Sequence, residues 1–368
     1  MERTLTGILD SYNADAPLEE AHTIPAAWYL DPRIEELERE RVFGGNWIAA
    51  GRADQVAKPG QFFTLELAGE PLVIVRGAEG ELRAFFNVCR HHAAAVANAP
   101  CGTAQHLRCP YHGWTYGLDG TLKGTPEFAG VCGFDRAANG LVPVRVSTWE
   151  QFVFVALNEA APSLDEFLGD LPERIAPLFL GKLSFFGRRS YTLACNWKVY
   201  VDNYLDGGYH VPHLHKGLNS VLDYKEYTIG NSRHYSLQSS PMVSSKEDFA
   251  VAATRTGDRA YYYWIYPDFM VNLYEGVMDT NLVVPLGPDK CLVQFDFYFA
   301  DVSEARRQHN EASVAVSERV QDEDAAICES VQRGLRSRAY SAGRLSVRRE
   351  SGEHLFHRLL AGDLRRTA

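Results

Sequence analysis

The sequence lacks an excess of basic residues, any long apolar run and a dense set of cysteines. It contains 37 lysine and arginine residues against 47 aspartate and glutamate residues, a net charge of −10. A nucleic-acid-binding protein usually presents a basic face, and no apolar run approaches the ~18 residues expected of a membrane span. We therefore expect neither nucleic acid nor a membrane as a partner.

The start of the chain also lacks the basic segment and apolar stretch of a signal peptide. The cysteines number seven in 368 residues, and an odd number in so long a chain favours free thiols in a reducing compartment. We therefore expect a cytoplasmic protein. No G-x-G-x-x-G fingerprint is evident, so the sequence does not predict a dinucleotide site of its own.

What the sequence does contain is enough apolar material for about two domains of typical size. Residues 1–45 are predicted to be an N-terminal helical segment that packs on the second domain. Over 46–157, short β-like runs alternate with turn signals, which predicts an antiparallel β domain. Residues 158–368 mix helical and strand patterns, with strands over 259–299. The predicted fold class is α+β, with an antiparallel sheet flanked by helices in the second domain.

A first candidate metal site lies in the β domain. Cys89 and His91 form a C-x-H pair, seventeen residues follow, and Cys109 and His112 form a C-x2-H pair. Two thiolates and two imidazoles on paired turns suit either one zinc ion or one [2Fe–2S] cluster. The Gly-Trp that follows the second pair and the placement on turns favour the cluster. His92 lies outside the ligand pattern.

A second candidate site follows a helical pattern over 197–209. His210 and His215 are five residues apart, about 140° on an ideal helix, so they do not share one helical face. Pro212 bends or ends the helix between them, which allows His215 to return from the next segment. His213 is an alternative ligand on spacing alone.

The third ligand of such a site is predicted to be Asp324, on a long helix over 303–336. An apolar stripe recurs there at helical spacing, and Asp324 is its only carboxylate; its members are Val316, Val320, Asp324, Ile327 with Cys328, Val331 and Leu335. A charged aspartate on such a face needs a metal or a buried basic partner, and the pattern leaves both open. Asp322 and Glu323 are expected in solvent.

Both regions resemble one known family. Residues 87–92 and 109–116 are similar to the Rieske motif of ring-hydroxylating-type oxygenase large subunits. The segments 196–198, 202–204, 210–215 and 323–327 are similar to the catalytic domain of the same proteins. The resemblance implies that 46–157 is a Rieske domain and 158–368 a catalytic domain with a mononuclear iron.

The resemblance also implies roles for individual residues. Both cysteines, Cys89 and Cys109, bind one iron of a Rieske cluster, and His91 and His112 bind the other. His210, His215 and Asp324 bind a mononuclear Fe(II), with positions left for O2. A separate reductase of flavin or ferredoxin type, supplied by NADH or NADPH, reduces the cluster, and the chains form a homotrimer.

Members of this family use an acidic residue to connect the iron site to the Rieske cluster of a neighbouring subunit. That residue usually lies three positions before the first histidine, where this sequence has Gly207. Asp206 stands one helical turn before His210, and Asp202 stands a further turn back. We therefore predict Asp206 as the bridging residue, with Asp202 as the second choice.

Within the family, the sequence is most similar to choline monooxygenase-like oxygenases of quaternary ammonium compounds. The residues that carry this likeness are 195–199, 206–212, 278–283 and 328–335. The predicted reaction is hydroxylation or N-demethylation of a choline-, betaine- or carnitine-like substrate. An oxygenase of aromatic or other small organic molecules is the alternative. Two alternatives belong to other functional classes. One is an electron-transfer or ligand-binding protein without oxygenase chemistry, and the other is a zinc-binding interaction protein.

The substrate pocket is predicted from an aromatic run over 261–269. Aromatic faces bind trimethylammonium groups, although aromatic packing in a sheet explains the same run. On an alternating strand only one of two sets faces a given pocket, either Tyr261 and Tyr263 or Tyr262, Trp264 and Tyr266. The predicted pocket residues are Tyr261, Tyr263 and Trp264.

Overall fold

The computed structural model describes residues 4–244 and 247–366. Contacts within the chain divide it into two compact units. One unit consists of Arg39–Phe167, and the other combines Met1–Glu38 with Leu168–Ala368. The predicted β domain, 46–157, lies inside the first unit, and the N-terminal segment up to Glu38 belongs to the same unit as the second predicted domain.

The unit of residues 39–167 is built on antiparallel β-structure. Its strands are β1 (Ile48–Arg52), β2 (Gln61–Leu67), β3 (Glu70–Arg76), β4 (Leu82–Phe86), β5 (Cys101–Thr103), β6 (Leu107–Arg108), β7 (Thr115–Tyr116), β8 (Leu122–Gly124), β9 (Pro143–Trp149) and β10 (Phe152–Ala156). Seven of them form a sheet in the order β1-β10-β9-β4-β3-β2-β5, and β6, β7 and β8 form a small second sheet. The run of apolar β-branched residues in β3 is fully buried, as expected for a central strand.

The second unit contains a second seven-stranded antiparallel sheet. Its strands are β11 (Ser184–Leu193), β12 (Thr228–Asn231), β13 (Tyr235–Pro241), β14 (Arg259–Ile265), β15 (Phe269–Tyr274), β16 (Val277–Gly287) and β17 (Lys290–Phe299). They pair in the order β11-β17-β16-β15-β14-β13-β12. The predicted α+β class, with strands over 259–299, is confirmed.

The α-helices are short except for two near the C-terminus. They are α1 (Leu5–Leu9), α2 (Ala26–Leu30), α3 (Pro32–Leu37), α4 (Leu164–Leu168), α5 (Leu171–Ile175), α6 (Trp197–Leu205), α7 (Val211–Leu214), α8 (Lys216–Asn219), α9 (Phe249–Thr254), α10 (Arg307–Leu335) and α11 (Ser351–Leu364). A π-helix, Glu38–Phe43, follows α3. Within the described residues, no helix is long and apolar enough to cross a membrane.

Helices α6 and α10 pack against each other and position the second candidate site. Asn196 caps α6 because its side chain accepts a hydrogen bond from the backbone N–H of Lys198 at 3.0 Å. The predicted stripe on α10 is only partly correct. Ile327 and Val331 are 40% and 45% exposed. The face of α10 that is buried against α6 instead includes polar residues such as Gln321, which contacts Tyr200 of α6.

Candidate metal centres and substrate cavity

Two loops of the β unit hold the first set of candidate ligands. In the loop after β4, the backbone N–H of Cys89 donates to the carbonyl of Ala94 at 2.8 Å, and that of Ala93 donates to the carbonyl of Cys89 at 2.9 Å. The loop between β6 and β7 repeats this pattern between Cys109 and residues 113–114. Two loops of the same hydrogen-bonded form therefore each carry one predicted thiol and one predicted imidazole.

At these loops the two predicted thiols lie in one cluster, and the two predicted imidazoles lie beside each other. Both thiols, Cys89 and Cys109, are buried in one cluster of side chains. The rings of His91 and His112 lie 4.7 Å apart, and the ligand atoms of these two and of His92 lie within 4.8 Å of one another. Proximity alone therefore does not separate His92 from the two predicted histidines.

The chemistry of this pocket fits a metal cluster. Nδ1 of His91 is buried and, among the described residues, has no hydrogen-bond partner, which is costly unless a ligand takes that place. Desolvation and the neighbouring His92 and His112 lower the pKa of His91, which favours the neutral ring that a metal ligand needs. The hydroxyl of Tyr116 lies 3.3 Å from Sγ of Cys89, where it can donate to a thiolate.

The second set of candidate ligands forms a compact group in the other unit. His210 and His215 flank the short helix α7, and their rings are 4.8 Å apart and nearly perpendicular. Oδ1 of Asp324 lies 3.0 Å from Nε2 of His215 and 3.8 Å from Nε2 of His210. The side-chain amide of Asn203 donates to the same oxygen at 2.8 Å. The three predicted ligands therefore converge on one point, whereas His213 is exposed and outside the group.

The residue before Asp324 differs from its prediction. Glu323 was expected in solvent, yet its Oε2 lies 2.6 Å from Nδ1 of His215. Helix periodicity did not reveal this contact because His215 approaches α10 from a separate loop. Asp322, in contrast, is exposed as expected.

This pocket also fits a metal ion. Burial would lower the pKa of His215, but the carboxylates of Asp324 and Glu323 reverse that effect and raise it. The two carboxylates therefore attract a positive charge, and a metal ion bound by His215 and Asp324 would replace the proton that they otherwise favour on His215. Two imidazoles and one carboxylate around an open position are the donor set of non-haem Fe(II) sites.

Asp206 contacts His210, on the side of the ring away from Asp324. Its Oδ2 is 2.5 Å from Nδ1 of His210 and accepts the backbone N–H of His210 at 3.0 Å. Gly207 has φ +68°, and a Cβ there would collide with the carbonyl oxygen of Arg349. No acidic side chain fits at 207, so the carboxylate that reaches His210 comes from one position earlier. Asp202 instead accepts the hydroxyl of Tyr29 at 2.5 Å.

A cavity opens beside His210, His215 and Asp324. The cavity has a volume of about 120 Å³. One water molecule takes roughly 10–15 Å³ on the same measure, so the cavity has room for a molecule of about ten heavy atoms. Its polar and aromatic lining residues include Tyr200, Tyr204, Tyr227, Gln238, Arg255, Tyr262, Asn272, Tyr274, Asp279, Asn281 and Gln321.

The predicted pocket residues do not line this cavity. Tyr262 does so, whereas its neighbours Tyr261 and Tyr263 project to the opposite face of β14, as strand alternation requires. Trp264 shares the face of Tyr262 but is fully buried and stacks edge-on against Phe356 of α11. The prediction is therefore corrected to Tyr262, with partners from other segments that no local pattern identifies.

Comparison with known proteins agrees with both metal centres. Residues 46–137 match the Rieske [2Fe–2S] domain, and residues 180–364 match the catalytic domain of the ring hydroxylating alpha subunit. Chloroplastic choline monooxygenase of Arabidopsis thaliana is 40% identical over 374 residues, covering 98% of this chain and 87% of the relative. The carnitine monooxygenase oxygenase subunit of Escherichia coli K12 is 31% identical over 355 residues, covering 93% of this chain and 94% of that one.

Solved structures show the same similarity. The quaternary ammonium Rieske monooxygenase CntA, in complex with L-carnitine, superimposes with a TM-score of 0.82 at 29% identity, covering 99% of this chain and 100% of that chain. A naphthalene 1,2-dioxygenase from Rhodococcus sp. shares the fold, with a TM-score of 0.77 at 21% identity over 93% of this chain and 94% of the other. The chain therefore belongs to the Rieske-type non-haem iron oxygenases of the ring-hydroxylating alpha-subunit family, oxidoreductases that use a [2Fe–2S] cluster, a mononuclear iron and O2.

Proposed function

We propose that this oxygenase acts on a small quaternary ammonium compound and hydroxylates a C–H bond of an N-methyl group or of the carbon chain attached to its nitrogen. The observation that carries the proposal is the group of tyrosines in the cavity beside His210, His215 and Asp324. Relatives at 40% and 31% identity are named choline and carnitine monooxygenases, which supports the same substrate class.

The tyrosines form a corner suited to a cation. The rings of Tyr262 and Tyr274 lie 6.0 Å apart at 81°, and the ring of Tyr227 stacks parallel to Tyr262 at 6.5 Å. The hydroxyls of Tyr262 and Tyr274 are 2.9 Å apart, and that of Tyr227 donates to Gln238 at 2.9 Å, so these rings are held in place. A trimethylammonium group gains about 0.5–2 kcal/mol from each aromatic face.

The cavity also contains a buried carboxylate that complements a cation. Asp279 is 4% exposed and accepts the side-chain amide of Asn272 at 2.7 Å. The same amide donates to Asn281 at 2.8 Å, and the Asn272 carbonyl accepts the hydroxyl of Tyr204 at 2.8 Å. This network holds the carboxylate and the Tyr204 ring in fixed positions in the cavity lining.

We further propose that Cys89, His91, Cys109 and His112 hold the Rieske cluster, while His210, His215 and Asp324 hold the mononuclear iron. When bound, the cluster supplies single electrons and the iron supplies the activation of O2. The chain's own groups orient the ligands: Asp206 accepts from Nδ1 of His210, Glu323 from Nδ1 of His215, and Asn203 donates to Asp324. The tyrosine corner holds the substrate beside them and excludes water.

In this proposal, Asp206 connects the iron site to the cluster of a neighbouring chain in a homotrimer, and a separate NAD(P)H-dependent reductase of flavin or ferredoxin type supplies the electrons. Support comes from the contact between Asp206 and His210 and from the lack of room for an acidic residue at Gly207. The expected oligomer is measured by light scattering of the metal-replete protein.

The test is a coupled assay with NADH, O2 and a reductase from a related Rieske system. Choline, glycine betaine, L-carnitine and toluene are compared, with products identified by mass spectrometry. We expect O2 consumption and oxidised product only with quaternary ammonium compounds. Formaldehyde would identify N-demethylation, and an aldehyde would identify oxidation at the chain carbon.

The matched control compares Asp324→Ala with Asp322→Ala, two positions apart on the same helix. Loss of activity is expected only for Asp324→Ala, because Asp322 is exposed. Oxidation of toluene without oxidation of any quaternary compound would refute the proposed substrate class.

A further inference from the structure

One guanidinium lines the described part of the cavity, and both of its terminal nitrogens already donate hydrogen bonds. Arg255 is 5% exposed, and among the described residues that line the cavity no lysine accompanies it. Its Nη1 donates to Ser313 Oγ at 2.5 Å and to the carbonyl of Thr254 at 3.2 Å. Its Nη2 donates to Ser317 Oγ at 2.7 Å and to the carbonyl of Ser313 at 3.3 Å.

An aromatic ring and a carboxyl group also lie near Arg255. Its guanidinium carbon lies 4.9 Å from the centre of the Tyr274 ring, in cation–π contact. Burial raises the pKa of Asp279, and the nearby positive charge of Arg255 acts against that rise. A substrate carboxylate would have to displace the serine contacts and would also meet the charge of Asp279.

One neutral donor in the lining is, in contrast, unused. The Oε1 atom of Gln321 accepts the hydroxyl of Tyr200 at 2.6 Å. Its Nε2 is buried and, within the part of the chain that the structure describes, has no hydrogen-bond partner. Gln321 lines the cavity one helical turn before Asp324. A buried donor without a partner is costly, so this amide is suited to an acceptor that arrives with the substrate.

We propose, resting on the proposed function, that the cavity selects quaternary ammonium compounds whose other end is a neutral hydroxyl or carbonyl group. Gln321 donates a hydrogen bond to that oxygen. The engaged Arg255 and the charge of Asp279 exclude compounds whose other end is a carboxylate. The site therefore distinguishes two substrates that carry the same trimethylammonium group.

The test measures dissociation constants by titration calorimetry of the iron-replete protein without O2. Choline and glycine betaine share the trimethylammonium group and differ in a hydroxymethyl against a carboxylate, while tetramethylammonium has neither. We expect choline to bind at least about tenfold more tightly than glycine betaine, because like-charge contact and the lost Gln321 bond both act against the carboxylate. Equal or tighter binding of glycine betaine would overturn the proposal.

Two variants locate the effect. Gln321→Leu is expected to weaken choline about 3–10-fold, the range for one hydrogen bond, and to leave tetramethylammonium within about twofold. Asp279→Asn removes the charge that opposes a carboxylate. The dissociation constants of choline and glycine betaine should therefore become more similar. Equal weakening of choline and tetramethylammonium by Gln321→Leu would contradict the assigned role. Thermal unfolding of each variant checks that it folds.

Failure of the proposed function gives a different result. If the neutral carbon analogue of choline, 3,3-dimethylbutan-1-ol, binds while choline and tetramethylammonium do not, the cavity does not select cations at all. If all the cations bind alike, quaternary ammonium recognition stands and only the selection at the oxygen end is refuted.

Discussion

Asp206→Asn tests the connection between the two metal sites. Oδ2 of Asp206 is 2.5 Å from Nδ1 of His210, and its Oδ1 accepts the backbone N–H of Tyr209 at 3.1 Å. The substitution keeps the shape of the side chain but removes its charge and one acceptor oxygen. A hydrogen bond to a charged group contributes about 1.5–3 kcal/mol, so a step that depends on it should slow by about 10–100-fold.

The assay mixes chemically reduced, metal-replete protein with O2 and choline in a stopped-flow instrument and follows reoxidation of the cluster by its colour. Iron content should remain at about three per chain, two in the cluster and one at the second site. The matched control is Asp202→Asn, whose carboxylate accepts from Tyr29 and lies 3.0 Å from Nε2 of His357. Its reoxidation rate should stay close to that of the unmodified protein.

A normal reoxidation rate in Asp206→Asn, with iron content intact, would refute the assignment. If Asp202→Asn alone is slow, the bridging role moves to that residue. If Asp206→Asn loses iron, the residue acts on metal retention, and the connection between sites is then carried by another group.

Three further predictions concern contacts that local sequence patterns did not reveal. Glu323→Gln should weaken iron affinity about 10–100-fold, measured as iron retained on dialysis against a chelator, whereas Asp322→Asn should not. Tyr262→Leu should weaken binding of tetramethylammonium by about 2–30-fold, since one aromatic face contributes about 0.5–2 kcal/mol; Tyr261→Leu, on the other face of the strand, should leave it unchanged. Tyr116→Phe should lower the reduction potential of the cluster by tens of millivolts, because a hydrogen bond to a ligand sulfur favours the reduced state; protein-film voltammetry measures the shift, and an unchanged potential would contradict this role.

Motif spacing predicted the candidate ligands because each motif lies within one turn or loop. The loop at Cys89 and the loop at Cys109 close through their own backbone hydrogen bonds, so their ligand pattern is readable along the chain. The contact between Asp206 and His210 was predictable for a related reason. Asp206 lies one turn before His210, and the contact between them remains within a single segment.

Contacts between distant segments were not predictable in the same way. Helix periodicity placed Glu323 away from the core but could not show that His215 reaches it from another loop. Strand alternation separated Tyr261 from Tyr262 but carried no information on which face adjoins the cavity. The partners of Tyr262, namely Tyr227 and Tyr274, come from other segments, so the corner exists only in the folded sheet.

The most direct test of this account is a single turnover without any reductase. Protein with about three irons per chain is reduced chemically, freed of excess reductant and mixed with choline and O2. We expect oxidised choline approaching one molecule per mononuclear iron, and none from Asp324→Ala. Complete reoxidation of the cluster without any oxidation or demethylation product of choline would contradict this mechanism.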